Sequence, residues 1–265
     1  MKKFGLQLWS VRDRLTNASD VRETFRRLGE MGYTEAQTAG TYSFMPAEEF
    51  AECAKAAGIS FCGTHYDYDL MKNDIPGTVK YHEILGTKNV GVGGASGCFD
   101  TEEGTIQFAR EYNELAKKYA EYGFRVSYHN HSVEGKKFGN KTIMDILIEE
   151  MTADNIFFCL DSYWLQHAGF DICSMIERLS GKVDILHLKD MAAWREYPGA
   201  DGKTIYAPGM TEVGTGNLDF KKIIACAERC GTKHFIVEDE YYTTGDSMES
   251  VKISADNIKA KYLEK

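Results

Sequence analysis

Short apolar runs and longer stretches of helical periodicity alternate along the whole chain. Phe4–Val11 reads as a first strand. A helix follows from about Ser19 to Met31, with Ser19 as its cap, Val21, Phe25 and Leu28 at helical spacing, and Gly32 as its stop. The next pair is a weak strand, Tyr33–Ala39, and a helix, Pro46–Ala57, that opens on proline and ends at Gly58. Strand Ile59–His65 precedes a helix around Thr78–Leu85, and strand Asn89–Gly93 precedes the long helix Glu102–Tyr122. Phe124–His131 pairs with Thr142–Met151, and Ile156–Asp161 with Ile172–Leu179. Asp184–Lys189 leads through a long loop to Phe220–Cys230, and His234–Glu240 with Ser247–Tyr262 completes the series.

Strands that alternate with helices imply a parallel sheet with helical crossovers. Eight such units in 265 residues suit a closed (β/α)8 barrel, whose usual length is about 250 residues. A doubly wound sheet would carry a Gly-rich phosphate loop after an early strand, and Gly91-Val92-Gly93-Gly94 has neither the spacing nor the place. No linker interrupts the alternation, so residues 1–265 are expected to form a single barrel domain.

Charge narrows the partners. The formal net charge is −9 and no basic run exceeds two residues, which argues against nucleic acid. The seven cysteines form no CxxC pair and are scattered through strands and helices, which argues against a disulfide framework. The chain runs from Met1 directly into a strand with no signal-peptide core, and no apolar stretch approaches the roughly 20 residues of a membrane span. These features read as a cytoplasmic protein that binds neither membrane nor nucleic acid; a homo-oligomer is compatible with them.

In a barrel the chemistry gathers where strands end, because the loops that follow share one mouth. Here the fifth strand ends in His129, Asn130, His131 and then Glu134, the sixth in Asp161, the seventh in His187, Lys189 and Asp190, and the eighth in Glu238. Carboxylates and an imidazole from consecutive strands are the mixed oxygen and nitrogen donors that suit Mn²⁺, Zn²⁺, Co²⁺ or Fe²⁺. Asp161 and Glu238 directly follow apolar strand residues, where an unpaired charge is expensive and needs a metal or a salt partner. Lys189 could be that partner.

At these residues the chain resembles the sugar phosphate isomerase/epimerase group of xylose-isomerase-like barrels. The likeness is carried by Gly5-Leu6-Gln7-Leu8-Trp9-Ser10-Val11-Arg12-Asp13, Tyr128-His129-Asn130-His131, Leu160-Asp161-Ser162-Tyr163-Trp164, His187-Leu188-Lys189-Asp190, Glu212-Val213-Gly214-Thr215-Gly216 and Val237-Glu238-Asp239. The resemblance implies one divalent metal, manganese first, held by Glu, Asp, His and Glu. Asp161, His187 and Glu238 match three of these, and Glu134 is assigned as the first ligand, with His129 or His131 as its substitute.

The same resemblance implies an isomerase or epimerase of a sugar or keto-sugar, working by proton abstraction next to a carbonyl through a metal-stabilised enediolate. Glu238 and Glu134 would be the acid/base pair with His131 in reserve, and Lys189 would add positive charge. Trp9, His65, His129, Trp164 and Arg195 are expected to contact substrate, and Met191–Gly216 to form a lid or substrate loop. No phosphate-binding turn with a nearby arginine is evident, which argues against a phosphorylated substrate. The alternatives are a lyase of the same fold, either a keto-inositol dehydratase or a 3-keto-glycoside-cleaving enzyme, and a non-catalytic sugar-binding barrel.

Overall fold

A computed structural model describes residues 1–198 and 202–264. The expected barrel is present. Its parallel strands are β1 (Gly5–Gln7), β2 (Glu35–Ala39), β3 (Ser60–Tyr66), β4 (Asn89–Val92), β5 (Arg125–His129), β6 (Ile156–Asp161), β7 (Val183–Leu188) and β8 (His234–Val237). Each pairs with its chain neighbours, and β1 closes the ring on β8. Helices cover the outside.

The local chemistry explains both the agreements and the differences. Helix Ala18–Met31 buries Val21, Phe25 and Leu28 as their spacing requires, and Gly32 ends it at φ 95°, where a side chain would be strained. Its cap is Asn17 rather than Ser19, because the Asn17 side chain reaches the N–H groups of both Ser19 and Asp20. The first strand is shorter than its apolar run suggests. The Gln7 side chain accepts from the Trp9 N–H, and the chain turns into a 3-10 helix, Leu8–Arg14, in which Leu8 and Val11 remain buried. Before the helix Ile75–Leu85 stands a short one, Tyr68–Asn73, and aspartates 67 and 74 cap the two.

Met191–Gly216, expected as a lid or substrate loop, lies largely in an antiparallel hairpin with arms Asp190–Pro198 and Thr204–Thr211; residues 199–201 fall outside the described part. Asp190 ties its base. Its carboxylate accepts from the N–H groups of Met191, Gly214, Gly216 and Leu218. Glu212 in turn accepts from Thr243 and Ser250. Two motifs of the resemblance are thus structural anchors for the hairpin.

The main apolar core lies between strands and helices, with Phe25, Phe50 and Phe61 in mutual contact. Burying each such ring contributes about 1.5–3 kcal/mol. Inside the barrel, Cys62, Cys159, Ile185 and Ile236 form a separate small plug. All seven cysteines are free thiols. Below the plug, Glu35 accepts from His234 Nδ1 at 2.9 Å and Lys3 Nζ at 2.5 Å. Above it the barrel opens to the site. No helix among the described residues is long and apolar enough to cross a membrane.

Two outcomes are expected. Burial alone would raise the pKa of Glu35, but His234 and Lys3 outweigh it and hold the carboxyl below its ordinary 4.5. Its stabilisation is therefore complete above that value and lost as pH falls through the lower folded-state value. Glu35→Gln should cost about 1–2 kcal/mol at neutral pH, little of it from the half-exposed Lys3, and the gap from wild type should shrink in urea titrations below pH 4.5. At Gly216 an added Cβ would lie 2.4 Å from Asp190 Oδ1 and 2.5 Å from the Met191 carbonyl. Gly216→Ala should lower the thermal midpoint, with a stability loss of about 1–3 kcal/mol; an unchanged midpoint would show that the hairpin base has slack.

Candidate metal centre

Strand register brings the polar strand ends together. Gln7 lies beside Gln37, His129 beside Cys159, Asp161 beside His187, and Ile236 beside His187 on the other side. One ligand atom each from His129, Asp161, His187 and Glu238 falls within 4.8 Å of the others, and all four residues are buried. His65, His129, Cys159 and His187 form a second, overlapping group of the same kind. The imidazoles pack together, with ring centres 4.7 Å apart for His65 and His129 and for His129 and His187.

The donor atoms are prepared for a cation. His129 Nδ1 faces the Cys159 carbonyl at 3.2 Å, and a carbonyl only accepts. That ring nitrogen therefore carries the proton, and Nε2 offers a lone pair. Burial, reinforced by the neighbouring imidazoles, pushes the His129 pKa well below its usual value, so the ring is neutral. One oxygen of Asp161 caps the next helix, accepting from the Trp164 N–H at 2.8 Å. Its other oxygen, Oδ2, is buried and makes no hydrogen bond; Lys189 Nζ and His187 Nδ1 face it at 3.7 Å each, which leaves it able to accept a closer cation. Asn130 anchors this strand end by accepting from the Asp161 N–H.

Glu238 Oε2 lies 2.8 Å from His187 Nδ1 and 3.4 Å from Lys189 Nζ. Burial on its own would raise the Glu238 pKa, but Lys189 and His187 reverse this and hold it well below the usual carboxylate range. His187 is the converse case. Burial opposes its charge, yet Cys159, Glu238 and Asp161 raise its pKa well above the ordinary imidazole value. Lys189 is fully buried, and burial is again outweighed, here by Glu238, Asp161 and Glu240; its shortest contact is Glu240 Oε1 at 2.7 Å. An N₂O₂ donor set with one carboxylate oxygen free of hydrogen bonds fits a divalent cation of the Mn, Fe, Co and Zn group.

Glu134 is not brought to this cluster. A short 3-10 turn, Val133–Gly135, aims it at the outer side of β5, where Tyr128 donates to it at 2.5 Å and the His131 N–H at 2.8 Å. Tyr128 belongs to the strand–helix core with Phe99 and Phe108. Burial raises the Glu134 pKa to about 7. The position expected of Glu134 is taken by His129, the strand residue that points inward.

A cavity of about 700 Å³ sits over the cluster. Trp9, His65, His131, Glu238 and Glu240 line it, as do Tyr66, Asp67 and Tyr68 from the end of β3. Trp9 and His65 are therefore where substrate contacts were expected. Trp164 is not on the wall; its ring lies behind His131 and under the Lys189 ammonium. Arg195 is also absent from the cavity, because its guanidinium donates to the Met210 carbonyl within the hairpin. Gln7, Gln37, Cys159 and Glu240 were not foreseen. Only an inward-facing alternation in very short strands could have signalled the two glutamines. A groove of similar volume, about 690 Å³, lies between helices Ala18–Met31 and Ala47–Ala56, but Arg22 and Arg26 there are ion-paired on the surface.

The profile of the family described as xylose isomerase-like TIM barrel matches residues 25–261. Among solved structures, two sugar phosphate isomerase/epimerases from Parabacteroides distasonis are similar throughout. One has a TM-score of 0.78 at 22% identity, covering 98% of this chain and 94% of its own; the other has 0.79 at 20%, covering all of both. A probable 3-DHS dehydratase, AsbF, from Bacillus anthracis superposes with a TM-score of 0.71 at 14% identity, covering 98% of this chain and 99% of its own. No protein of curated function matches the chain in sequence. With a barrel closed β1 to β8, buried metal-type ligands at its mouth and a profile match over most of its length, the chain belongs to the xylose isomerase-like TIM barrel family.

Proposed function

We propose that the protein is a divalent-metal-dependent isomerase or epimerase of an unphosphorylated keto-sugar, acting by removal of a proton next to the carbonyl. The observation that carries this reading is the convergence of His129, Asp161, His187 and Glu238 beneath the mouth cavity, with Asp161 Oδ2 free of hydrogen bonds. A divalent cation held by these four residues would draw electron density from the substrate carbonyl and offset the negative charge that develops there.

The chain's own residues supply the rest. Glu238, kept ionised by Lys189 and His187, faces the cavity from β8 and can take a proton. His131 faces the same cavity from the end of β5, several strands away around the ring, and burial keeps its pKa below the usual value. It is thus a neutral base on a different side of the substrate, the place earlier expected of Glu134. Trp9 and Tyr66 give the cavity aromatic wall suited to the apolar face of a sugar.

Substrate charge follows from the lining. Asp67, Glu238 and Glu240 contribute carboxylates, and no Lys or Arg lines the cavity among the described residues. A phosphate group would meet like charge there. Dehydration would begin with the same proton removal, and the similarity to a probable dehydratase supports it as the second reading; the product distinguishes the two.

Purified protein should bind one equivalent of Mn²⁺, Co²⁺ or Zn²⁺ by calorimetry. Keto-sugars incubated with the loaded protein in D₂O should exchange the proton next to the carbonyl, followed by NMR. Glu238→Gln should slow that exchange by about 10²–10⁴-fold. A wild-type protein that takes up none of the three metals would sink the reading. Free keto-sugars should also outcompete their phosphate esters by about tenfold or more in kcat/KM; the reverse order would overturn the assignment of an uncharged substrate.

A further inference from the structure

Gln7 and Gln37 stand side by side on β1 and β2, fully buried, between the imidazoles of His65 and His187. Amide orientation can be read outward from one unambiguous donor. The backbone N–H of Trp9 lies 3.2 Å from Gln7 Oε1, so the oxygen of that amide faces β1 and its nitrogen faces away. Gln7 Nε2 lies 3.0 Å from Gln37 Oε1 and 3.3 Å from His65 Nδ1. An amide nitrogen only donates, and both neighbours must accept. His65 Nδ1 therefore holds a lone pair, and its proton sits on Nε2.

The chain of constraint continues on the other side. Gln37 Oε1 lies 2.6 Å from His187 Nε2. That oxygen only accepts, so His187 Nε2 carries a proton, and Nδ1, 2.8 Å from Glu238 Oε2 and 3.7 Å from Asp161 Oδ2, is the nitrogen turned toward the ligand cluster.

We infer that the Gln7–Gln37 pair is a positioning relay: it makes His187 Nδ1 a metal-ligand atom and reserves His65 as a hydrogen-bond donor to substrate. The inference rests on the metal reading above and extends it, because it chooses between two overlapping clusters. His65 Nε2 is buried and unpartnered, and the residue lines the cavity. With a proton on that nitrogen and the Nδ1 lone pair taken up by the Gln7 amide, His65 offers no free lone pair to the group of His65, His129, Cys159 and His187. It presents an N–H to a carbonyl or hydroxyl oxygen instead. The metal is left to His129, Asp161, His187 and Glu238.

Long-range proton–nitrogen NMR on the imidazoles of the full-length protein tests this. In the metal-free wild type, His65 should show a protonated Nε2 and a bare Nδ1. With Zn²⁺ bound, His187 should keep its Nε2 proton and His65 its tautomer. Gln37→Leu should weaken Zn²⁺ binding by about 10–100-fold in calorimetry, while Gln37→Glu, which keeps the acceptor, should bind within a few-fold of wild type. Gln7→Leu should leave His65 as a mixture of tautomers. A protein that binds no metal refutes the metal reading, and the His65 tautomer still decides the relay. A proton on His65 Nδ1, or zinc coordinated through His187 Nε2, overturns the relay even where metal binds tightly. If Gln37→Leu fails to fold by circular dichroism, the wild-type spectra carry the decision. Unchanged zinc affinity in a folded Gln37→Leu counts against the relay.

Discussion

Charge balance among buried groups governs this molecule. Asp161, His187, Lys189 and Glu238 are all buried at the mouth of the barrel, where an isolated ion would cost several kcal/mol. None is isolated. Lys189 reaches three carboxylates, His187 bridges Gln37 and Glu238, and Asp161 leaves one oxygen facing the group without a hydrogen bond. The cluster balances its own charges and still has the donor atoms that could hold a cation.

The rest of the fold serves to hold that balance. The apolar plug of Cys62, Cys159, Ile185 and Ile236 forms a dry floor, and the Glu35–His234–Lys3 group closes the other end of the barrel. Ser162 braces the end of β7: its hydroxyl accepts from the Lys189 N–H and lies within hydrogen-bond distance of the Lys189 and His187 carbonyls. Asp239, directly after Glu238, is fixed by Ser10 on its N–H and by Ser254 on its carboxylate. Asp190 pins the hairpin beside Lys189. Residues that flank each candidate ligand are thus bound to backbone or to neighbouring elements, which keeps the donor atoms in place before any metal arrives.

Legibility in the sequence was uneven for physical reasons. Asp161, His187 and Glu238 end apolar strands, and their residue types could be weighed without knowing any distance. Glu134 looked equally suitable by type and proximity to β5, but a single 3-10 turn sends it to the outer face. Arg195 looked like a substrate residue because its segment resembled a loop, and pairing of the two hairpin arms placed it against Met210 instead. Gln7 and Gln37 are polar residues in strands of three and five residues, too short for alternation to show which way they point.

By itself the sequence determined the eightfold alternation, the helix stops and the presence of carboxylates and imidazoles where strands end, because these depend on local periodicity and residue chemistry. Only the tertiary structure decided which of them meet. Closing the ring sets the register of each strand against the next, and register decides which side of β5 looks inward. That placed His129 rather than Glu134 in the group of candidate ligands and set the glutamine pair between two imidazoles. Proton positions on those rings follow from contacts between residues 58 and 150 positions apart in the chain, distances over which local sequence carries no geometric information.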